Sequence, residues 1–350
     1  MNKEYETIGI IDDAISAIWT TNYTDIGDFE LYLPATAKNI DLLVQDRYLY
    51  RESDYESDTD TYNNVMIIGK IQLTTNVEQG NFLIVTGESL ETILTRRIIW
   101  SQTKLSGTVE DGIRQVITDN IINPSIADRK ISDFVLGARQ GFGETSTTQV
   151  TYDNVAEWII EVCATYEYGF KVVLRNKKFV FELYKGTNRS YSQAETPVVI
   201  FAAEYDNLEN SDYQYDKKEY KNIALVAGEG EGLGRRTKQV GSGSGLGRRE
   251  LYVDAREVQS NDGEINSNDY GAMLTEKGAE KLAECGITEL FSGEVSAEGN
   301  YTLNRDYFLG DLVHVINEYG IATNPRITSI TDVEDENGRH VLPVFSKWEV

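Results

Sequence analysis

The apolar residues of the first hundred positions follow the pattern of β-strands. The segment "DFELYLP" alternates Phe29, Leu31 and Leu33 with more polar residues, and "VMIIGKIQL" and "NFLIVTG" follow with turn residues between them. Because successive side chains of a strand point to opposite faces of a sheet, this pattern predicts strands with one buried face. Residues 1–100 are therefore predicted to form a small barrel or sandwich, with a short helix near its end that begins at Ser89.

Residues 101–196 change to a helical period. "GTVEDGIRQVITDNIINP" spaces its apolar residues for a helix, with Thr108 as the N-cap and Asn123-Pro124 as the stop. "DNVAEWIIEVCATYEYG" repeats the arrangement and ends at Gly169, and the hairpin "FKVVLRNKKFVFELY" follows. This segment is predicted to be a compact α+β module.

From residue 197 onward the β pattern returns. It runs through "PVVIFAAEYDNL", "YFLGDLVHVINEYG", "PRITSITDV" and "HVLPVF", with an Asn337-Gly338 turn between the last two. The segment "DYGAMLTEKGAEKLAECG" between these strands predicts a helix closed by Gly286. The order of the chain is therefore β, α+β, and β with a helical insertion.

A glycine-rich segment, "NIALVAGEGEGLGRRTKQVGSGSGLGRRELYVDAR" (222–256), contains "GLGRR" twice. A dinucleotide site requires a strand, then G-x-G-x-x-G, then a helix, but the third glycine position falls on Leu233 or Arg235. We interpret the segment as a hairpin of strand 222–227 and returning strand "RELYVDA", joined by a mobile loop (228–247) that becomes ordered against a partner. The five-residue repeat is too short to predict a structural unit.

The charge and the rare residue types exclude several functions. A net charge of −24 argues against nucleic-acid binding, because affinity for a polyphosphate depends on Lys and Arg. No apolar run is long enough for a membrane span, and the first residues lack the pattern of a secretory signal. Cys163 and Cys285 are predicted to be buried free thiols, and His314 and His340 are too few for a zinc cage.

No candidate for catalysis rises above the background. The acidic stretch "RESDYESDTDTYNN" places Tyr62 and Asn63 where a calcium loop needs an oxygen ligand and a glycine, so we interpret it as a solvated loop. Ser89 lacks the second glycine of a nucleophile elbow and is predicted to cap a helix. Trp19, Trp100 and Trp158 are predicted to pack in cores. Paired carboxylates for glycoside hydrolysis stay open, because 57 acidic residues offer many pairs. No catalytic, cofactor-binding or metal-binding residue is assigned.

Four motifs resemble one protein family. "AIWTTNYTDIGDFELYLP", "VMIIGKIQL" and "NFLIVTGESLETILTRRIIW" are similar, in this order, to the phage tail-tip or baseplate hub proteins, including the N-terminal part of tail-associated lysin-type proteins. "YTLNRDYFLGDLVHV" resembles the last barrel of that family, where a "Y.LGD.V" turn is usual. The loop 228–247 matches nothing in the family pattern.

The resemblance implies an α+β, mainly β fold with two tube-forming β-barrel domains. The first would span 1–100, an α+β domain 101–196, and the second barrel 197–256 with 289–350, leaving 257–288 as a helical insertion. It also implies a structural protein of the virion tail, made in the host cytoplasm. Three copies would form a ring that joins the hexameric tail tube, or a distal tail protein, to a trimeric spike or tip and lines the DNA conduit.

Two other functions are carried as alternatives. Some hub proteins of this kind bear a wall-degrading peptidase or glycosidase as a C-terminal extension, and we expect no such domain here because the last hub-like strand lies close to residue 350. A glycan-binding tip module that uses surface tyrosines is the second alternative. The expected ring draws on open edge strands such as the one ending in "YFLGDLVHVIN", and no enzyme activity and no cofactor are expected.

Overall fold

A computed structural model of the chain describes residues 1–76, 80–261, 263–295 and 300–349. The helices are α1 (Ala37–Leu42), α2 (Val109–Ile117), α3 (Val155–Thr165) and α4 (Ser267–Glu284). The strands, in chain order, are β1 (Ser16–Asn22), β2 (Asp28–Pro34), β3 (Tyr48–Leu49), β4 (Tyr55–Glu56), β5 (Thr61–Tyr62), β6 (Met66–Asn76), β7 (Gly80–Ser89), β8 (Thr103–Thr108), β9 (Phe134–Leu136), β10 (Thr145–Val150), β11 (Gly169–Arg175), β12 (Lys178–Tyr184), β13 (Ile200–Ala202), β14 (Glu209–Asp216), β15 (Ile223–Ala227), β16 (Thr237–Gly241), β17 (Glu250–Asp254), β18 (Ile287–Glu294), β19 (His314–Ile316), β20 (Ala322–Thr323), β21 (Arg326–Asp335) and β22 (Gly338–Glu349).

One nine-stranded sheet contains both ends of the chain. Its order is β14-β18-β22-β21-β1-β2-β7-β6-β3. The N-terminal and C-terminal strands meet where β1 pairs antiparallel with β21, with Trp19 opposite Asp332 and Thr20 opposite Thr331. The predicted mainly β fold is confirmed. Many of the strands that we assigned to two barrels share this sheet, and its end strands β14 and β3 are not paired with each other in the described residues.

Each half of the large sheet has its own apolar core. Side chains of β1, β2, β6 and β7, including Trp19, Phe29 and Val85, form the core of the N-terminal half. The core of the C-terminal half includes Phe291 and Phe345. Many of the residues in both cores lie at alternate strand positions, which is the pattern expected of a sheet with one buried face.

The α+β module packs two predicted helices on a five-stranded sheet. That sheet has the order β4-β5-β11-β12-β9, and α2 and α3 cover it in one large core. Thr108 caps α2 as predicted, since its Oγ1 accepts the Asp111 amide at 3.2 Å. The chain leaves α2 through a π-helical turn, Thr118–Ile122, and then stops at Asn123. The predicted hairpin of β11 and β12 is confirmed.

The glycine-rich segment is a three-stranded sheet, so the predicted hairpin is wrong. β15 lies in the middle, β16 pairs with it antiparallel, and β17 pairs with it parallel. Both "GLG" sequences form 3₁₀ turns, Gly232–Gly234 and Gly245–Gly247, and each turn leads through Arg-Arg into a flanking strand. The repeat is therefore a structural unit after all. The two turns follow from the local sequence. The sequence pattern did not show that a third strand, β16, lies between the two predicted strands and pairs with β15.

Arginines and a helix hold this small sheet in place. Arg235 donates to the carbonyl oxygens of Ala227 and Gly228, at 2.6 and 2.9 Å, and pairs with Asp254. The Arg236 guanidinium lies 3.8 Å from the centroid of the Tyr270 ring of α4. The predicted helix α4 covers one face of the sheet in a shared core. The segment 228–247, expected to be a mobile loop, thus contains a strand and two anchored arginines, and the domain limits inferred from the sequence stay a prediction.

The strand of "YFLGDLVHVIN" does not lie at a sheet edge, contrary to expectation. β19 is the middle strand of the sheet β13-β19-β20, paired parallel with β13 and antiparallel with β20. β14 is instead the longest strand at the end of a sheet. β13 and β20 are only three and two residues long, so they give no alternating pattern from which either pairing could be predicted.

Charged side chains connect α4 to the α+β module. The Tyr166 hydroxyl of α3's C-terminus donates to Glu276, and Lys281 lies 3.6 Å from a carboxylate oxygen of Glu161. Glu280 is buried in the same contact and lies 3.8 Å from Lys277. Burial raises the pKa of Glu280 to about 7, and the carboxylates of Glu276 and Glu161 add to this shift while Lys277 and Lys281 oppose it.

The Glu280→Gln variant is expected to be more stable than the natural chain at pH 8. The folded protein keeps Glu280 protonated up to about pH 7, whereas the unfolded chain ionises it near pH 4.5. The free energy of unfolding therefore falls as the pH rises from about 4.5 to about 7. Above pH 7 the folded protein bears the full cost of keeping an ionised carboxylate buried. Gln cannot ionise, so the variant should gain on the order of 2 kcal/mol at pH 8. Urea unfolding at pH 5, 6, 7 and 8 measures this.

Glu284→Gln is the matched control, because Glu284 is an exposed carboxylate on the same helix. It should leave the pH dependence between pH 5 and pH 7 as it is in the natural chain. An unchanged pH dependence in Glu280→Gln would show that ionisation of Glu280 does not act on this contact.

Candidate functional site

Tyr23 lies where three parts of the chain meet. It follows β1 and is 1% exposed. Its hydroxyl donates to the Glu167 carbonyl oxygen at 2.8 Å, and its amide donates to the Thr328 carbonyl oxygen at 2.9 Å. Its ring packs edge-on against Tyr184, 5.3 Å between centroids, and beneath the Arg326 guanidinium. Tyr23 therefore joins the N-terminal half of the large sheet to the α+β module and to β21 in its C-terminal half, and burial raises its pKa.

The LGD turn of the family motif closes against the same tyrosine. Gly310 has φ +94°, and a Cβ atom there would lie 2.4 Å from Tyr23 Cε2. The next residue, Asp311, is 2% exposed and accepts the Thr187 amide and Arg189 Nε, each at 2.7 Å. Glycine allows this backbone conformation and this close approach, and the aspartate fixes the chain that leaves the α+β module.

A buried ion network crosses the junction of β1 and β21. Asp332 accepts Arg51 Nη1 at 2.5 Å and Arg339 Nη2 at 2.6 Å, and Arg51 also pairs with Asp54 at 2.9 Å. The carboxylates of Asp54 and Asp332 are each 5% exposed, while the Arg51 guanidinium lies over the Trp19 ring. Burial alone would raise the pKa of Asp332, but the two arginines outweigh it and hold that pKa below its usual range.

A cleft of about 640 Å³ opens at this junction. Glu91 on its wall is buried, like Asp54, Asp311 and Asp332, and accepts the Val172 amide at 2.7 Å, and burial raises its pKa. Charged side chains of both signs line the cleft: Asp25, Arg51, Asp54, Glu56, Glu91, Lys171, Lys185, Arg189, Asp311 and Asp332. The carboxylates of Asp54, Asp311 and Asp332 accept hydrogen bonds from arginine side chains or backbone N–H groups. Three of the carboxylates that line the cleft are therefore already engaged within the protein.

The residues weighed for chemistry lie apart from one another. Ser89 Oγ accepts the Gly27 amide at 2.8 Å and makes no capping bond, and the helix after it, Leu90–Arg96, is of the 3₁₀ type. Cys163 is a buried free thiol as predicted, whereas Cys285 is only half-buried. His314 contacts Asn324 at 2.7 Å. Within the described ranges, no group of three or more His, Cys, Asp or Glu residues could hold a metal ion.

Two interpretations of individual residues need correction. The acidic stretch 51–64 is not only a solvated loop, because it forms β4 and β5 and sends Arg51 and Asp54 into the buried ion network. Trp19 and Trp158 are buried as predicted, but Trp100 is 48% exposed and lies against the Arg129 guanidinium. Local apolar spacing could not show that Trp100 lies beyond the covered face of the module.

No helix in the part of the chain that the structure describes is both long and apolar enough to cross a membrane. No curated protein matches the chain.

The fold is shared with solved structures of phage and prophage tail proteins. These include the tail protein from Neisseria meningitidis MC58 (TM-score 0.56, 14% identity, 96% of this chain and 92% of that chain covered). They also include prophage tail protein gp18 from Listeria monocytogenes EGD-e (0.52, 13%, 97% and 90%) and the 43 kDa tail protein of prophage MuSo2 from Shewanella oneidensis (0.51, 12%, 95% and 94%). The fold class is therefore that of tail proteins.

The family can be stated more narrowly than the fold class. The sequence model of the Siphovirus ReqiPepy6 Gp37-like protein family matches residues 1–346, so the chain belongs to that family. The resemblance to phage tail proteins carried by the sequence motifs is thereby confirmed.

Gly310→Ala is expected to lower the free energy of unfolding by about 3 kcal/mol. The added Cβ would meet the Tyr23 ring at 2.4 Å and would also hold alanine at a positive φ. Gly320→Ala is the matched control, since Gly320 has φ +77° but nothing within 4 Å of its added Cβ. The control should lose only the backbone term, about 1 kcal/mol. Urea unfolding of both variants measures the difference, and equal losses would show that Tyr23 and Gly310 are not tightly packed.

Proposed function

We propose that this protein is the structural hub of a phage tail tip or baseplate. In this proposal three copies form a ring that joins the hexameric tail tube, or a distal tail protein, to a trimeric spike or tip. The ring lines the conduit through which DNA passes, and the protein resides in the virion tail or in a phage-tail-like particle. Membership of the family and the tail-protein fold support a role in the tail.

The observation that carries the ring is the division of the large sheet. Strands β1, β2, β7, β6 and β3 lie on one side of the β1–β21 pairing, and β21, β22, β18 and β14 lie on the other. Each side has its own core, so one chain supplies two β units edge to edge. Three copies would present six such units, which matches the symmetry of a hexameric tube.

The junction at Tyr23 supports the same role. A hub must hold its two β units in a fixed relation while it transmits load between the tube and the tip. The buried Asp332 network and the Tyr23 contacts join both units to the α+β module through charged hydrogen bonds and close packing. A polar joint of this kind gives a specific geometry because each buried charge is satisfied in only one arrangement.

The charge of the chain fits a conduit for DNA. A net charge of −24 would repel the phosphates of a passing duplex, so that the DNA slides without adhering. The same charge opposes assembly, because three acidic copies repel one another at low ionic strength. The proposal therefore has a specific salt dependence.

The purified protein should form a trimer whose stability rises between about 10 mM and 150 mM salt. Screening shortens the reach of the repulsion from a Debye length of about 30 Å to about 8 Å over this range. Light scattering coupled to size-exclusion chromatography, with and without the cognate tube protein, measures the mass. A monomer in every condition, or a stable dimer, would contradict the ring and leave a glycan-binding tip module as the better function, which a sugar array tests.

We also expect no hydrolysis of peptidoglycan by the chain. Two of the carboxylates that line the cleft are held in hydrogen bonds. Asp332 accepts from Arg51 and Arg339, and Asp311 accepts from Arg189 and from backbone amides. These contacts keep the groups from acting as an acid and base pair. A zymogram with folded protein should stay uncleared, and clearing that Glu91→Gln abolishes would assign an enzyme site to the cleft.

A further inference from the structure

Two strands at open sheet edges differ in charge. β14 ends the nine-stranded sheet, and β16 ends the three-stranded sheet. Within the described chain, β14 pairs only with β18 and β16 pairs only with β15. Each strand therefore presents backbone N–H and C=O groups along one side, where a further strand can pair.

The charges of the two edges are opposite. β14 reads "ENSDYQYD", with three acidic residues and no basic one, and its exposed Glu209 and Asp212 make no ion pair among the described residues. The segment 232–249, which contains β16, carries five Lys or Arg residues and no acid in a chain of net charge −24. Arg235, Arg236 and Arg248 pair with Asp254, Glu229 and Glu250 outside the segment, which leaves Lys238 as the unpaired cation on the strand itself. Lys238 in β16 is exposed and likewise has no ion pair in the described part of the chain. The natural complement of this basic edge is thus an acidic strand.

Exposed apolar side chains accompany both edges. Leu233 and Leu246 lie on either side of β16 in the sequence, and both are fully exposed, at 109% and 104%. Tyr205 precedes β14 and Tyr215 lies within it, and these are 49% and 53% exposed. Single exposed apolar residues are ordinary, but two fully exposed leucines in the repeated turns beside one edge strand indicate a surface that another protein covers.

We propose that β14 of one copy of the chain pairs with β16 of the next copy around the ring. This inference rests on the proposed function and names the contact that would close it. Acids on β14 oppose pairing of two β14 strands, and the unpaired Lys238 opposes pairing of two β16 strands. Only the unlike pair is favoured, and a contact between two different edges is heterologous, which closes into a ring when the rotation is right.

Charge exchange tests the pairing at 150 mM salt, where long-range repulsion is screened but contact pairs persist. Lys238→Glu and Asp212→Lys should each raise the protein concentration needed for assembly by about tenfold or more, because each places like charges at the contact. The combined Lys238→Glu, Asp212→Lys variant should recover assembly, since the pair is restored with its signs exchanged. Lys130→Glu, at an exposed lysine outside both edges, is the control for net charge and should change assembly little.

Sedimentation equilibrium gives the assembly constant, and circular dichroism checks that each variant is folded. A natural chain that forms trimers, with single variants that assemble as well as Lys130→Glu, would overturn the pairing and leave the ring intact. A natural chain that stays monomeric would instead remove the ring itself. Binding of duplex DNA or of anionic vesicles by the natural chain that Lys238→Glu loses, without any change in assembly, would assign the basic edge to another partner and overturn the proposal.

Discussion

The packing of one tyrosine determines how the parts of this protein fit together. Tyr23 reaches Glu167 with its hydroxyl, Thr328 with its amide and Tyr184 with its ring, so three segments far apart in sequence share one buried contact. Gly310 has no side chain where that ring lies. Family motifs at opposite ends of the chain, the tyrosine of "IWTTNY" and the glycine of "LGD", are therefore two sides of the same contact. Their spacing in sequence has no local meaning, and it is in space that the glycine makes room for the tyrosine ring.

The joint between the two β units combines a strand pairing with buried charge. Removing water from Asp332 is costly, and the cost is met only because Arg51 arrives from the N-terminal half and Arg339 from the neighbouring strand. The network is satisfied in one register of β1 against β21. A slip of one residue would move every side chain to the other face and separate these charges. The ion network thus contributes to specificity of pairing where apolar packing alone would allow alternatives.

Local signals in the sequence were sufficient for much of the fold. The helices α2, α3 and α4, the cap at Thr108, the hairpin of β11 and β12 and the Asn337-Gly338 turn all follow from periodicity and turn chemistry within one stretch of chain. Pairings between distant segments did not follow. The parallel pairing of β15 with β17, the central place of β19 and the union of both chain ends in one sheet depend on which strands meet. Arg51 and Asp54 lie in the stretch that we interpreted as a solvated loop, because the buried carboxylate that Arg51 pairs with, Asp332, is 281 residues away in sequence.

The pairing of β1 with β21 also bears on how the chain acquires its fold during synthesis. Thr20 and Thr331 face each other across this pair but are 311 residues apart in sequence. A ribosome adding about 5 to 20 residues per second needs roughly 15 to 60 s to make that length of chain. During this time β1 has its partner β2 on one side and an open edge on the other. The α+β module can fold first from local contacts, whereas the large sheet is completed only after β21 and β22 emerge. The nascent N-terminal half is therefore the stage most exposed to aggregation, and a chaperone that shields one strand edge would act there.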